Sequence, residues 1–229
     1  MTSTSTVSNA PLSTRGRAPA PRAWRWSSLA LITLPWLILQ LGGLFSPGLL
    51  DDVDSVYIEV AREMMLRHDY VTPYIDGIRF FDKPPLMYWL AAGSMHLFGV
   101  YDWAARLPLA LGVLALLFAV YALGIRLFAA ISPAHAPDRA GLYAALAMAL
   151  SIGPWLYTRF YIPDILIALW MTFAVHLFLI ALDRARENLS PLLPMLGFAA
   201  VLALNLLTKG LIGIVFPIAF AFLCLAFTR

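Results

Sequence analysis

Charge is what this 229-residue chain has least of. Only 13% of its residues are Asp, Glu, Lys or Arg, against roughly a quarter in an ordinary soluble domain, and 61% are hydrophobic. That shortage excludes a fully solvated globular surface and places the chain in the membrane class. The formal charge of +3 comes without a basic stripe, so no nucleic-acid partner is expected. Cysteine is nearly absent too. Cys224 lies alone in an apolar run, which excludes an internal disulfide and a cysteine-rich metal cage, and it reads as inert packing. His68, His96, His135 and His176 show no ligand spacing. What the chain has in quantity is apolar runs and aromatics, with seven tryptophans suited to interfacial belts.

Residues 1–23 are rich in Ser, Thr, Ala and Pro, with Arg15, Arg17 and Arg22. Such a segment buries no core, and residues 1–26 read as a disordered cytoplasmic tail. A cleaved signal peptide is the rival reading. The run from Leu29 to Phe45 is long for a signal's apolar region, however, and no clear small-residue cleavage site follows it. Residues 27–229 form the membrane module. Apolar runs predict helices near 27–47, 104–128, 140–157, 164–182, 191–208 and 211–228. The fold class is therefore all-α: a polytopic integral membrane protein with about six transmembrane helices, since an open strand leaves its backbone unpaired in lipid. The basic flank of the first span puts the N-terminus in the cytoplasm.

The loop 48–103 then lies outside the cytoplasm. Val53, Val56, Tyr57, Val60, Ala61 and Met64 recur at helical spacing, with Glu59, Arg62, Glu63 and Arg67 between them, which predicts an amphipathic surface helix. A second interfacial helix starts at Pro84-Pro85 and ends near Gly99. At about 15 residues it is short for a span. Arg62 and Glu63 read as surface charges, and Arg106 as a headgroup anchor at the start of a span.

Four polar clusters share this face: Asp51-Asp52-Val53-Asp54, Asp82-Lys83, Arg159 with Asp164, and Lys209. Ionisable groups at a membrane boundary are costly, so each is a functional candidate. Simple readings stand beside that one. One aspartate of the first cluster suffices to cap a helix, Lys83 suits a snorkelling role, Arg159 and Asp164 suit a mutual pair, and Lys209 a hairpin tip.

The segments "DDVDSVYIEVAREM", "DYVTPYIDGIRFFDKPPLMYWL", "FGVYDWAARLPLA", "TRFYIPDILIALW" and "LLTKGLIG" occur in this order. Together they resemble the N-terminal half of the GT-C membrane glycosyltransferases, in the bacterial branch near the lipid A aminoarabinose transferases and protein O-mannosyltransferases. The resemblance covers about residues 30–220. It implies a multi-pass enzyme of the bacterial inner membrane that uses a polyprenyl-phosphate sugar as donor. The acceptor would be an extracytoplasmic lipid, glycan or protein, and transfer would proceed with inversion. It further implies a catalytic carboxylate at Asp52 or Asp54. Relatives with an Asp-Glu pair place it on Val53 and Asp54 when aligned without gaps, and a one-residue shift places it on Asp52. The choice stays open.

In chemical terms a carboxylate assists attack by an alcohol as its proton is lost, and a leaving lipid phosphate needs cations. Lys83 is the first choice for the donor phosphate, followed by Arg159 and Lys209. The resemblance also implies that Asp82 orients Lys83 or the acceptor and that Asp164 helps to position the acceptor. No cofactor is implied with certainty, and a divalent metal on some of these carboxylates is compatible with the chemistry. Family members usually run on through more helices, so the chain reads as a fragment or a short member. The alternative function is a non-catalytic membrane protein, such as a transporter subunit or scaffold, that binds anionic membrane lipid. Against a transporter, no internal repeat with broken midplane helices is visible.

Overall fold

A computed structural model describes residues 24–45, 48, 49, 54–129 and 131–227. Residues 1–23 of the expected tail and Asp51 and Asp52 of the acidic cluster lie outside the described residues; Trp26, expected at the end of the tail, is instead the first residue of a helix. The rest is helical, with one two-stranded hairpin.

The first span begins as α1, Trp26–Trp36, and continues as a π-helical turn, Leu37–Leu41. Pro35 lies just before the change. The first loop carries α2 (Asp54–Arg67), the hairpin strands β1 (Tyr74–Ile75) and β2 (Ile78–Arg79), and α3 (Leu86–Phe98). There follow α4 (Asp102–Phe128), α5 (Arg139–Ala149), α6 (Ile152–Arg159), α7 (Asp164–Arg186), α8 (Leu192–Lys209) and α9 (Ile212–Phe227).

By length and composition, α4, α7 and α8 each suffice to cross a membrane. The expected span at 140–157 is a bent pair instead, α5 and α6 meeting at 45°. Gly153 and Pro154 stand in the first turn of α6, where proline starts a helix well but offers no donor to the turn before it. The first and last apolar helices, Trp26–Leu41 and Ile212–Phe227, are shorter than the expected runs. The molecule is a polytopic α-helical membrane protein.

Polar contacts sort the helix ends onto two faces. At one end, Arg25 donates to the His135 carbonyl, and Tyr121 and Ser28 hydroxyls both donate to Asp138. Arg126 bonds Asp183 at the same end. At the other end, Lys209 at the close of α8 meets Asp164 at the start of α7. Asn205 closes the α8–α9 hairpin by donating to the Gly213 carbonyl at 2.7 Å.

The first loop packs onto that second face. Ile58, Ala61 and Met64 of α2 bury against Met87, Tyr88, Ala91 and Met95 of α3 and Ala105 and Leu109 of α4. The Tyr161 hydroxyl, between α6 and α7, donates to the Met87 carbonyl at 2.9 Å. The N-terminal end of α3 therefore stays on the face where α6 ends and α4 begins. Its 13 residues also span only about 20 Å, short of a bilayer core. So α3 lies along the face and does not cross.

Maleimide labelling in a Cys224→Ala background tests this arrangement. Cysteines placed at Tyr70 and Leu211 should react from one side of the membrane, and one at Leu189 from the other. Labelling of 70 and 211 from opposite sides overturns the topology.

Candidate active site

At the head of α2, Asp54 is wholly buried and pairs with Arg106 at 2.6 Å, Arg106 being 1% exposed. Arg106 also donates to the Gly48 carbonyl at 3.1 Å, and the Ser55 N–H donates to Asp54 Oδ1 at 3.1 Å. Arg106 is thus not the headgroup anchor expected from its place at the start of a span. It points inward because a carboxylate 52 residues away lies against it. As placed, Asp54 is buried in an ion pair with Arg106 at the head of α2. Asp52, the other candidate base, lies outside the described residues.

Two turns of chemistry stand beside this anchor. The Tyr57 hydroxyl donates to Asp82 Oδ2 at 3.0 Å, and Lys83 Nζ donates to the same carboxylate at 3.0–3.1 Å. Lys83 also lies 5.9 Å from the Tyr57 ring centroid, within reach of a cation–π attraction. Asp82 and Lys83 immediately precede the proline pair that starts α3, so the rigid head of that helix presents them. The hydrogen bond from Lys83 holds Asp82 below the usual carboxylate range, and the same bond raises Lys83. Burial, reinforced by Asp82, raises Tyr57.

Asp164 and Lys209 form a second couple at 2.6 Å, half-buried. Its neighbour Thr208 accepts a bond from Trp170 Nε1 at 3.1 Å. Lys209, expected to be free for a donor phosphate, is neutralised here by Asp164. Arg159 stands apart from both couples, stacked 5.1 Å from the Trp155 ring centroid. It does not pair with Asp164, because Tyr161, at φ 50, turns the chain sharply between the two helices. Among the described residues no hydrogen bond or ion pair joins Arg159 or either couple to another of these three groups.

Arg62 and Glu63 bond within α2, to Glu59 and Arg67 respectively, as surface charges do. A depression of about 550 Å³ opens beside them, lined by Ser55, Glu59, Arg62, Asp76 and Asp102 among others, and not by Lys83. Among the described residues no group of three His, Cys, Asp or Glu side chains converges as a metal site would require.

Comparison with known proteins fits this face to a family. Residues 82–229 match the family described as dolichyl-phosphate-mannose-protein mannosyltransferase. The chain belongs to that family. It is 29% identical over 173 residues to an undecaprenyl phosphate-alpha-4-amino-4-deoxy-L-arabinose arabinosyl transferase of Proteus mirabilis, covering 76% of this chain and 30% of that protein. It is 30% identical over 192 residues to an uncharacterized protein of Aquifex aeolicus, covering 83% and 41%. The fold matches the crystal structure of ArnT from Cupriavidus metallidurans bound to undecaprenyl phosphate, with a TM-score of 0.67 and 25% identity over 82% of this chain and 33% of that one. The apo form of the same protein gives a TM-score of 0.71. The chain therefore spans about a third of the length of these relatives.

Two outcomes follow from the geometry. Arg106→Ala strands the Asp54 carboxylate in the interior and should destabilise the fold by about 3–5 kcal/mol; a melting series in detergent, with Asp54→Asn/Arg106→Met as the less damaged double variant, checks it. The second concerns the Lys83–Asp82 couple. The raised Lys83 keeps its share of the pair complete below its unfolded value of about 10.4, losing it only as pH climbs through the folded value. The lowered Asp82 keeps its share above about 3.9, losing it as pH falls. The stability difference between wild type and Lys83→Ala should therefore stay flat from about pH 5 to about pH 9.

Proposed function

We propose that this chain carries the first-loop face of a glycosyltransferase that takes a sugar from a polyprenyl phosphate at the outer face of a bacterial inner membrane. The N-terminus lies in the cytoplasm on this reading. The observation that carries it is Lys83, fixed by Asp82 and Tyr57 at the head of a boundary helix, in a chain of this family. The relatives' names and the undecaprenyl phosphate of the matched crystal structure support the donor class.

In the reaction, an acceptor hydroxyl or phosphate oxygen attacks the anomeric carbon. The bond from that carbon to the lipid phosphate oxygen breaks, polyprenyl phosphate departs, and the configuration inverts. Lys83 faces the charge that grows on the departing phosphate. A hydroxyl acceptor gives its proton to a carboxylate of the acidic run before α2. We assign that base to Asp52, because Asp54 is buried and paired with Arg106; Asp54 holds the head of α2 in place. Asp82 orients Lys83, and Asp164 orients the acceptor while neutralising Lys209. The depression beside Ser55 and Glu59 offers the acceptor room at the first turns of α2. A lipid, a glycan and a protein all meet this chemistry as acceptors.

The test is transfer from undecaprenyl phosphate-4-amino-4-deoxy-L-arabinose in membranes bearing the full chain. Lys83→Ala should lower turnover by about 10²-fold or more, and Asp52→Asn by about 10²–10⁴-fold. Unchanged turnover in Lys83→Ala, Asp52→Asn and Asp54→Asn together refutes the site. Undiminished lipid-phosphate binding in a protein without turnover instead supports a non-catalytic lipid binder.

A further inference from the structure

On the loop face, Lys83, Lys209 and Arg106 each hold a carboxylate. Arg159 is built differently. Its guanidinium lies over the Trp155 ring and also against the Gly43 backbone. The fit at Gly43 is close: a Cβ added there would come within 1.6 Å of Arg159 Nη2. Arg159 Nη1 is buried, and among the described residues no acceptor reaches it. A desolvated donor without an acceptor is costly. A cradle of glycine backbone and indole face therefore holds a guanidinium that pairs with no carboxylate among the described residues.

We propose that Trp155, Arg159 and Gly43 form a phosphate-binding subsite, separate from the one at Lys83, for the headgroup of a lipid at the membrane boundary. A guanidinium presents paired N–H donors that match two phosphate oxygens, and stacking on an aromatic face fixes its plane without using those donors. Trp155 is 36% exposed one turn before Arg159, which ends α6 on the face where the first loop lies. The headgroup comes from either a polyprenyl monophosphate or an ordinary anionic phospholipid. The subsite does not depend on sugar transfer, and Lys83 takes no part in it.

Native mass spectrometry of the full chain in phosphatidylcholine nanodiscs tests the subsite, with undecaprenyl phosphate in one arm and phosphatidylglycerol in the other. Arg159→Gln should weaken phosphate-lipid binding at one site about tenfold or more. Gly43→Ala should do the same while keeping every charge, because the methyl expels the guanidinium, and Arg159→Lys should recover part of the loss. Lys83→Ala should leave this site filled, and its combination with Arg159→Gln should empty both. The arm that responds to Arg159→Gln identifies the lipid. Melting curves without added lipid separate binding loss from misfolding.

Wild-type binding in both Arg159→Gln and Gly43→Ala overturns the proposal. So does a double-mutant coupling of Arg159 with Asp51 or Asp52 in lipid-free stability, accompanied by unchanged binding, since that assigns the guanidinium to an internal ion pair. Loss of transfer in Lys83→Ala with intact Arg159-dependent binding separates the two readings.

Discussion

The Asp54–Arg106 ion pair is the constraint on which the loop face depends. Both groups are out of water, so neither survives there alone, and each fixes where the other must be. Arg106 sits in the second turn of α4, a membrane helix, and Asp54 begins the surface helix α2. Joining them pins the rotation of α2. Ile58, Ala61 and Met64 then point down into α3 and α4, and Tyr57 is left beside Asp82. A buried pair of this kind adds little net stability over a hydrophobic substitute. Its effect here is one of register: it selects a single way for the loop to lie on the bundle.

The loop face that results is charged but largely self-compensated. Carboxylates hold Lys83 and Lys209 in place, so each cation is already oriented. Orientation before arrival is what makes such groups effective toward charge that develops during a reaction. Arg159 achieves the same orientation by packing, against an indole and a glycine, and keeps its charge uncompensated among the described residues. Family membership rests on residues 82–229, which contain Lys83, Arg159, Asp164 and Lys209. The acidic run that begins the loop precedes that match.

Much of this arrangement was legible in the residues. The spacing of Val56, Tyr57, Val60, Ala61 and Met64 predicted the surface helix that the structure bounds at Asp54–Arg67, and the proline pair and Gly99 bounded α3. The six apolar runs all became helices or, in one case, a bent pair. The hairpin at 74–79 was missed, although its signal was present. Asp76 and Gly77 both take positive φ, 51° and 80°, as a two-residue hairpin turn demands, and Asp-Gly is the sequence that permits it. The strands are two residues each, too short for alternation to be seen.

Sequence by itself determined the membrane class, the two loop helices and the set of charges gathered at one face, because hydrophobic period and chain length act locally. It also supplied the family resemblance. Only the tertiary structure decided which charges meet. Arg106 looked like a headgroup anchor until Asp54, 52 residues earlier, was found against it. Lys209 looked free until Asp164, 45 residues before it, was found to neutralise it, and the isolation of Arg159 depends on a glycine 116 residues away. Partnerships of that range are set by the packing of whole helices, and a carboxylate or a cation carries no local mark of the partner it will find.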